Sequence, residues 1–394
     1  MKNRLNIWTM YAIALLQGMV FYGPVATLYR QSRGVSLFQI TIIESISLIL
    51  VIFLEVPWGT VADKIGYKKT MIICNVLYFV SKIVFWKASG FGWFLAERVI
   101  LSVVLAGLSG CDSAYLFLAS GGDKSRKVFG IYSAMGTAGL IAASIVYSMF
   151  IIGDYPLSGF LTVISYGISM LLTFFLGEIK PEEKAQHDLT KNLREVIRAF
   201  WDDKGFLLFL LSAVMILESN QTLTVFFSQV QYVRTGIPQK YIGYIYSAVT
   251  VSGLLSVFAH RLTDWAGHGR GCISLFVSAF AACAVLAFTD DPAISVLCIV
   301  LLRISASLFA PISMEIQNRQ VKIPQRAAML SVYSSVMNIG GAFTNVAFGR
   351  LGELNIGLAF GMGALLCLTG LAMYTAWIRS RMKNSRAALS VKES

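Results

Sequence analysis

About twelve stretches of some twenty apolar residues, separated by short charged or Gly/Pro-bearing interruptions, dominate this chain of 394 residues. A helix of about 20 apolar residues crosses the ~30 Å hydrocarbon layer with its backbone hydrogen bonds made internally, so stretches of that length point to membrane-spanning helices. Splitting at the interruptions gives approximate spans 7–29, 38–58, 71–90, 92–119, 127–151 and 157–177, then 205–232, 240–261, 271–289, 294–316, 328–349 and 356–378. Only 14% of the residues are charged and 56% are hydrophobic, where a soluble domain carries about 25% charge. With a mean hydropathy of +0.68, the expected fold class is an all-α membrane protein.

The excess of twelve positive charges does not suggest nucleic acid, because the basic residues sit in short connections between apolar runs and not on one solvated face. With the N-terminus in the cytoplasm, 24 of the 33 Lys and Arg residues fall in cytoplasmic loops, linker and tail. The positive-inside rule then predicts an even number of spans, both termini inside and residence in the cell (inner) membrane. The start, with Lys2 and Arg4 ahead of an apolar run from Ile7, has the basic head of a signal peptide without a small-residue cleavage site, and is expected to be an uncleaved first span. Six cysteines lie mostly inside apolar runs without paired spacing, which predicts neither a disulfide framework nor a zinc site.

Residues 178–204 are rich in Lys, Arg, Asp and Glu and read as a solvated cytoplasmic linker between residues 1–177 and 205–378, with a basic tail over 379–394. The two halves echo each other at an offset of about 200 residues: Gly34 and Ile40 recur as Gly236 and Ile242, Asp63 and Gly66 as Asp264 and Gly267, and Arg126 and Tyr132 as Arg326 and Tyr333. Such a parallel repeat of six-helix units is a secondary-transporter architecture, with the substrate site near mid-membrane.

After the second span, Gly59, Asp63, Lys64, Gly66, Lys68 and Lys69 follow the pattern G-x-x-x-D-[RK]-x-G-x-[RK]-[RK]. The pattern resembles the cytoplasmic signature of the major facilitator superfamily. A degenerate copy with Asp264, Gly267 and Arg270 follows the eighth span, without the leading glycine or the basic residue after the aspartate. Glycines permit a tight turn, and a carboxylate among basic residues can exchange charge partners or cap a helix N-terminus. The resemblance implies twelve transmembrane helices in two pseudo-symmetric six-helix bundles and a gate in which Asp63 faces the start of the eleventh span near Ala328. Stretches around Glu55 and Pro57, from Leu108 to Ala114, and from Asn318 to Arg326 are similar to drug:proton antiporters of the macrolide-efflux branch. The fifth span departs from the antiporter pattern, because Gly130, Gly136 and Gly139 occur there without a proline, which leaves the direction of transport open.

An ionisable residue at the centre of a membrane helix costs roughly 2.5–3.5 kcal/mol on insertion scales and needs a partner, a wet cavity or a function. Nine such residues occur: Glu44, Glu55, Lys82, Glu97, Arg98, Asp112, Glu218, Arg303 and Glu315. On a continuous fourth span, Arg98, Ser102, Ser109 and Asp112 form one polar stripe, since their offsets stay within about 40° at 100° per residue. Arg98 thus either faces a cavity or pairs with Glu44 or Glu97. Glu218, near the middle of the seventh span beside Asn220, Gln221 and Thr222, is the first candidate to carry a coupling proton or face a substrate cation, against a buried structural role; Asp112 is the second. Gln17 and Tyr22 of the first span and Phe226 of the seventh are candidate cavity residues. Glu55 and Glu315 lie near the inner boundary as gate or packing residues, and Lys82 is expected to snorkel outward.

The first and seventh spans have no central Arg or Lys, so a phosphorylated substrate lacks its clamp and a lipophilic, neutral or cationic compound fits better. The expected function is proton-coupled efflux of such amphipathic compounds by alternating access. Proton-coupled uptake of a small polar nutrient, translocation of a lipid or lipid-linked product, and a non-transporting membrane receptor or scaffold are the alternatives. The three histidines are scattered and no nucleophile-base pair can be assembled, so neither catalysis nor a metal or other cofactor is expected. The expected partners are a small-molecule substrate, protons and the bilayer, with the chain acting as a monomer.

Overall fold

The computed structural model describes residues 2–120, 125–179, 196, 198, 200, 201, 203–321 and 326–393. Of the linker, residues 180–195, 197, 199 and 202 lie outside the described residues, as does the side chain of Asp63. Ten helical stretches among the described residues are long and apolar enough to cross a bilayer. One of them, Gln239–Phe288, has 50 residues and holds two spans, divided where Gly267 leaves helical geometry at φ 74°, ψ 153°. The helix Arg326–Leu354, with 29 residues, is long enough for one more. Among the described residues the count is therefore ten to twelve, and the fold is the all-helical one expected.

Two compact units are formed, one from Met1–Lys184 with Gly236–Thr250 and the other from Ala185–Thr235 with Val251–Ser394. Inside the first unit, span 1 packs on spans 5 and 6, span 3 on spans 4 and 6, and span 2 on span 4. Inside the second, span 7 packs on spans 11 and 12, span 9 on spans 10 and 12, and span 8 on span 10. Each pairing recurs shifted by six spans, which is the repeat of the sequence expressed as packing.

The connections echo each other for a local reason. Gly66, between the second span (Leu37–Ile65) and the third (Tyr67–Lys87), has φ 88° and ψ 155°, and its counterpart Gly267 has φ 74° and ψ 153°. That region is open to glycine and closed to side chains with a Cβ. The degenerate second signature has lost its flanking residues but keeps this glycine, because the chain reverses there between two helices.

Helix crossings also rest on glycine. Span 1 meets span 5 at Gly18 and Gly139, where a Cβ on Gly139 would drive into the Leu15 carbonyl and lie 3.1 Å from the Gly18 backbone. Its contacts are backbone atoms that no rotamer change can move aside. Gly139→Ala is therefore expected to cost about 3 kcal/mol, the upper end for an overpacked core, read as a lower thermal unfolding midpoint of detergent-solubilised protein.

Candidate functional site

In the first unit the site begins with a broken helix. Span 1 is helical to Gly18, leaves helical geometry over 19–22 and resumes as a short tight turn at Gly23–Val25 before Ala26–Ser32. Pro24 has no N–H, and its ring opposes a continuous helix through the preceding turn. The freed backbone groups are met by span 6: Ser165 donates to the Leu16 carbonyl at 2.7 Å, Tyr166 to the Gln17 carbonyl at 2.6 Å, and Phe21 N–H donates to Thr162 Oγ1 at 3.0 Å. An open backbone is tolerated at membrane depth only with such partners.

The break places Tyr22 beside Lys82. Lys82 Nζ donates to the Tyr22 hydroxyl at 3.2 Å, lies 3.9 Å from Glu97 Oε1 and is 5.0 and 5.1 Å from the ring centres of Tyr78 and Tyr166. Lys82 therefore does not snorkel outward as its place in the third span suggested. Its ammonium is buried because a carboxylate, a hydroxyl and three aromatic faces replace water there. Gln17 donates to Asn75 at 2.6 Å, joining spans 1 and 3 a short way inward.

Next to this pair, Arg98 donates to Glu44, whose other oxygen lies 3.7 Å from Arg30. Arg98 is therefore paired with Glu44 and not with Glu97, which is taken by Lys82. Arg30 is a residue the sequence reading missed, since it stands at the outer end of span 1 where a basic residue is ordinarily solvated. Here it is buried against the rings of Phe85 and Phe94, at 5.5 and 6.0 Å.

The fourth span is not the continuous helix that the expected polar stripe requires. The helix Gly90–Leu108 ends before Gly110, which has φ 89°, and a second helix begins at Cys111. The break places Arg98 and Asp112 on two separate helices. Ser102 is fully buried, donates to the Arg98 carbonyl at 2.8 Å and meets Ser47 of span 2 at 2.7 Å. Asp112 accepts a hydrogen bond from Tyr132 of span 5 at 2.9 Å through one oxygen, and its other oxygen has no partner among the described residues.

In the second unit, Glu218 lies on a seam between spans 7 and 11. Val214, Glu218 and Thr222, spaced four apart on span 7, meet Gly340, Gly341 and Asn345 in turn. The Glu218 carboxylate fills the space a Cβ on Gly341 would take, 2.8 Å from its Cδ. Among the described residues it has neither an ion pair nor a hydrogen bond, and it is half-buried. Just beyond it span 7 widens into a π-helical turn over Leu223–Phe227, which carries the buried Phe226. Such turns recur at functional positions in helices. Asn220 is buried and Gln221 exposed. Arg303 packs its guanidinium on Gly253, where a Cβ would lie 2.9 Å from Nε.

At the Gly267 end of the second unit, Glu315 and Arg319 pair at 2.6 Å on the rim of a cavity of about 310 Å³ that also contacts His268, Trp377 and Arg381. An adjoining cavity of about 390 Å³ reaches Asp264 and His260. In the first signature, Lys64 and Lys69 are exposed, Lys68 and Glu55 are half-buried, and Gly59 lies within the helix of span 2.

The profile of the Major Facilitator Superfamily matches residues 7–289 and 235–393, and the chain belongs to that superfamily. It is a multi-pass secondary transporter that binds a small-molecule substrate within the membrane, a carrier and not an enzyme. Its fold is similar to the nucleoside transporter NupG, with a TM-score of 0.79 and 16% identity over 95% of this chain and 98% of that one. A bacterial homologue of the human lysosomal transporter Spinster, inward-facing and unoccupied, gives 0.68 and 16% over 96% and 95%. A D-xylose-proton symporter gives 0.71 and 13% over 92% and 97%. No curated protein matches the chain in sequence.

Proposed function

We propose that the chain is a proton-coupled exporter of amphipathic small molecules in which Glu218 carries the coupling proton. The observation behind this is the half-buried Glu218 carboxylate, without a cationic or hydrogen-bonding partner among the described residues and set beside a glycine on a helix seam. A carboxylate in that setting is charged when water reaches it and neutral when it does not, which is the requirement for exchanging a proton with alternate sides of the membrane. Asp112, tied to Tyr132, is the second candidate, and the cluster around Arg98, Tyr22 and Gln17 supplies the polar surface of the first unit. The signature residues Gly59, Asp63, Lys64, Gly66, Lys68 and Lys69, with Asp264, form the cytoplasmic gate in this reading, with Glu44, Glu55, Arg303 and Glu315 as supporting charges. The protein works as a monomer in the cell membrane with both termini in the cytoplasm.

Uptake stands beside export because two of the solved structures of similar fold are a nucleoside transporter and a D-xylose-proton symporter. Inverted vesicles with an acidic interior and a fluorescent pH probe distinguish the two. Loss of the gradient on adding lipophilic cations, macrolides or amphipathic acids, absent in Glu218→Gln, is the expected result. Silence toward all of these, with a response to a single nucleoside, sugar or amino acid, would overturn export and leave nutrient symport.

A further inference from the structure

We infer that the buried charge cluster of the first unit is a receptor for a compact anionic group, a carboxylate carried by the transported compound. This rests on the transport reading above: among amphipathic compounds it selects carboxylic acids, zwitterions included, in place of the neutral or cationic compounds expected from the sequence.

The cluster holds three cations, Arg30, Lys82 and Arg98, against two carboxylates, Glu44 and Glu97. A net positive charge at membrane depth is costly unless an anion compensates it. Around Glu44 the donors are unbalanced in the same sense, because the buried Nε–H groups of both Arg30 and Arg98 have no acceptor among the described residues, while the orphan acceptor, Glu97 Oε2, belongs to the carboxylate paired with Lys82. Glu44 is divided between two guanidinium groups and reaches Arg30 only at 3.7 Å. A third carboxylate would supply both the missing charge and the missing acceptors, and guanidinium binds carboxylate in paired, charge-assisted hydrogen bonds.

Access is through Arg98. Its side chain is 22% exposed, whereas those of Arg30, Glu44, Lys82 and Glu97 are 7%, 7%, 5% and 1% exposed. An arriving carboxylate meets Arg98 first and competes with Glu44 for it, while Glu97 stays neutralised by Lys82. Arg98 is thus the most open member of the cluster, and its buried Nε–H lacks an acceptor among the described residues.

Thermal unfolding of the detergent-purified full chain tests the site without transport. Benzoate is expected to raise the midpoint at constant ionic strength, and the uncharged benzamide to leave it unchanged. Arg98→Gln should abolish the benzoate shift. Glu44→Gln, which keeps the volume and removes the competing charge, should bind benzoate roughly tenfold more tightly, the scale of one charge-assisted hydrogen bond. No benzoate shift in the unaltered protein, an equal shift with chloride, or weaker binding in Glu44→Gln would each overturn the assignment. The vesicle assay separates the two proposals. Silence toward every compound with the benzoate shift intact removes the export reading and leaves the anion site. Equal responses to indole-3-acetate and its methyl ester with no benzoate shift remove the anion site and leave export.

Discussion

Glu97→Gln is expected to destabilise the protein by about 3–5 kcal/mol, the usual penalty for stripping one partner from a buried ion pair. Glu97 and Lys82 lie 3.9 Å apart with side chains 1% and 5% exposed, so water cannot take the place of the lost charge. Lys82 would keep only the Tyr22 hydroxyl at 3.2 Å and its aromatic neighbours. Lys82→Met is expected to cost a similar amount, because it leaves Glu97 charged and buried, with one oxygen that already has no partner among the described residues. The double variant should recover most of the loss, since removing both charges removes the desolvation penalty along with the attraction. Titration from mild detergent into denaturing detergent, followed by helix content, gives the three values. Single variants costing under about 1 kcal/mol, or a double variant as unstable as their sum, would show that the two groups are not an ion pair in the folded protein.

The fold was legible because a membrane helix announces itself by length and apolarity alone, and because the halves repeat. Gly34 and Gly236, and Gly66 and Gly267, matched in the sequence and all have positive φ. The site was less legible, since charge pairing depends on how each helix is rotated about its axis. Lys82 sits fifteen positions before Glu97 in sequence but on a different span, and only the packing of span 3 on span 4 turns both inward. The continuous helix assumed from Arg98 to Asp112 is absent for a related reason: the chain breaks at Gly110, whose positive φ ends the helix. Pro24 carries a signal for the break in span 1, which the reading of 7–29 as one span does not use. The partners that make the break tolerable, Thr162, Ser165 and Tyr166, lie about 140 residues further on and carry no mark of that task. Gly340 and Gly341 face Val214 and Glu218 from more than a hundred residues away, so the niche of Glu218 appears only once spans 7 and 11 are packed.

That niche gives two adjacent glycines opposite expected phenotypes. A Cβ on Gly340 would lie 2.8 and 3.1 Å from the two methyl carbons of Val214, and a valine in a helix has essentially one rotamer and nowhere to retreat. Gly340→Ala should therefore cost about 1–2 kcal/mol, overpacking less the gain in helix propensity, with the pH response of transport unchanged in the protein that folds. A Cβ on Gly341 would instead lie 2.8–3.1 Å from the carboxylate atoms of Glu218, the far end of a side chain with three torsions. Glu218 can swing aside, so stability should stay within about 1 kcal/mol once the propensity gain is included. The carboxylate would then be displaced by about an ångström, and proton-coupled flux is expected to fall on the order of tenfold to a hundredfold, as for a misplaced reacting group. Shortening the acid should restore part of it: Gly341→Ala with Glu218→Asp withdraws the carboxylate by one methylene and reopens the space. Vesicle flux across a pH series, with unfolding midpoints measured alongside, reads both effects. Wild-type coupling in Gly341→Ala would mean that the position of Glu218 on the seam is not what exchanges the proton, and Asp112 would take its place as the carboxylate to test.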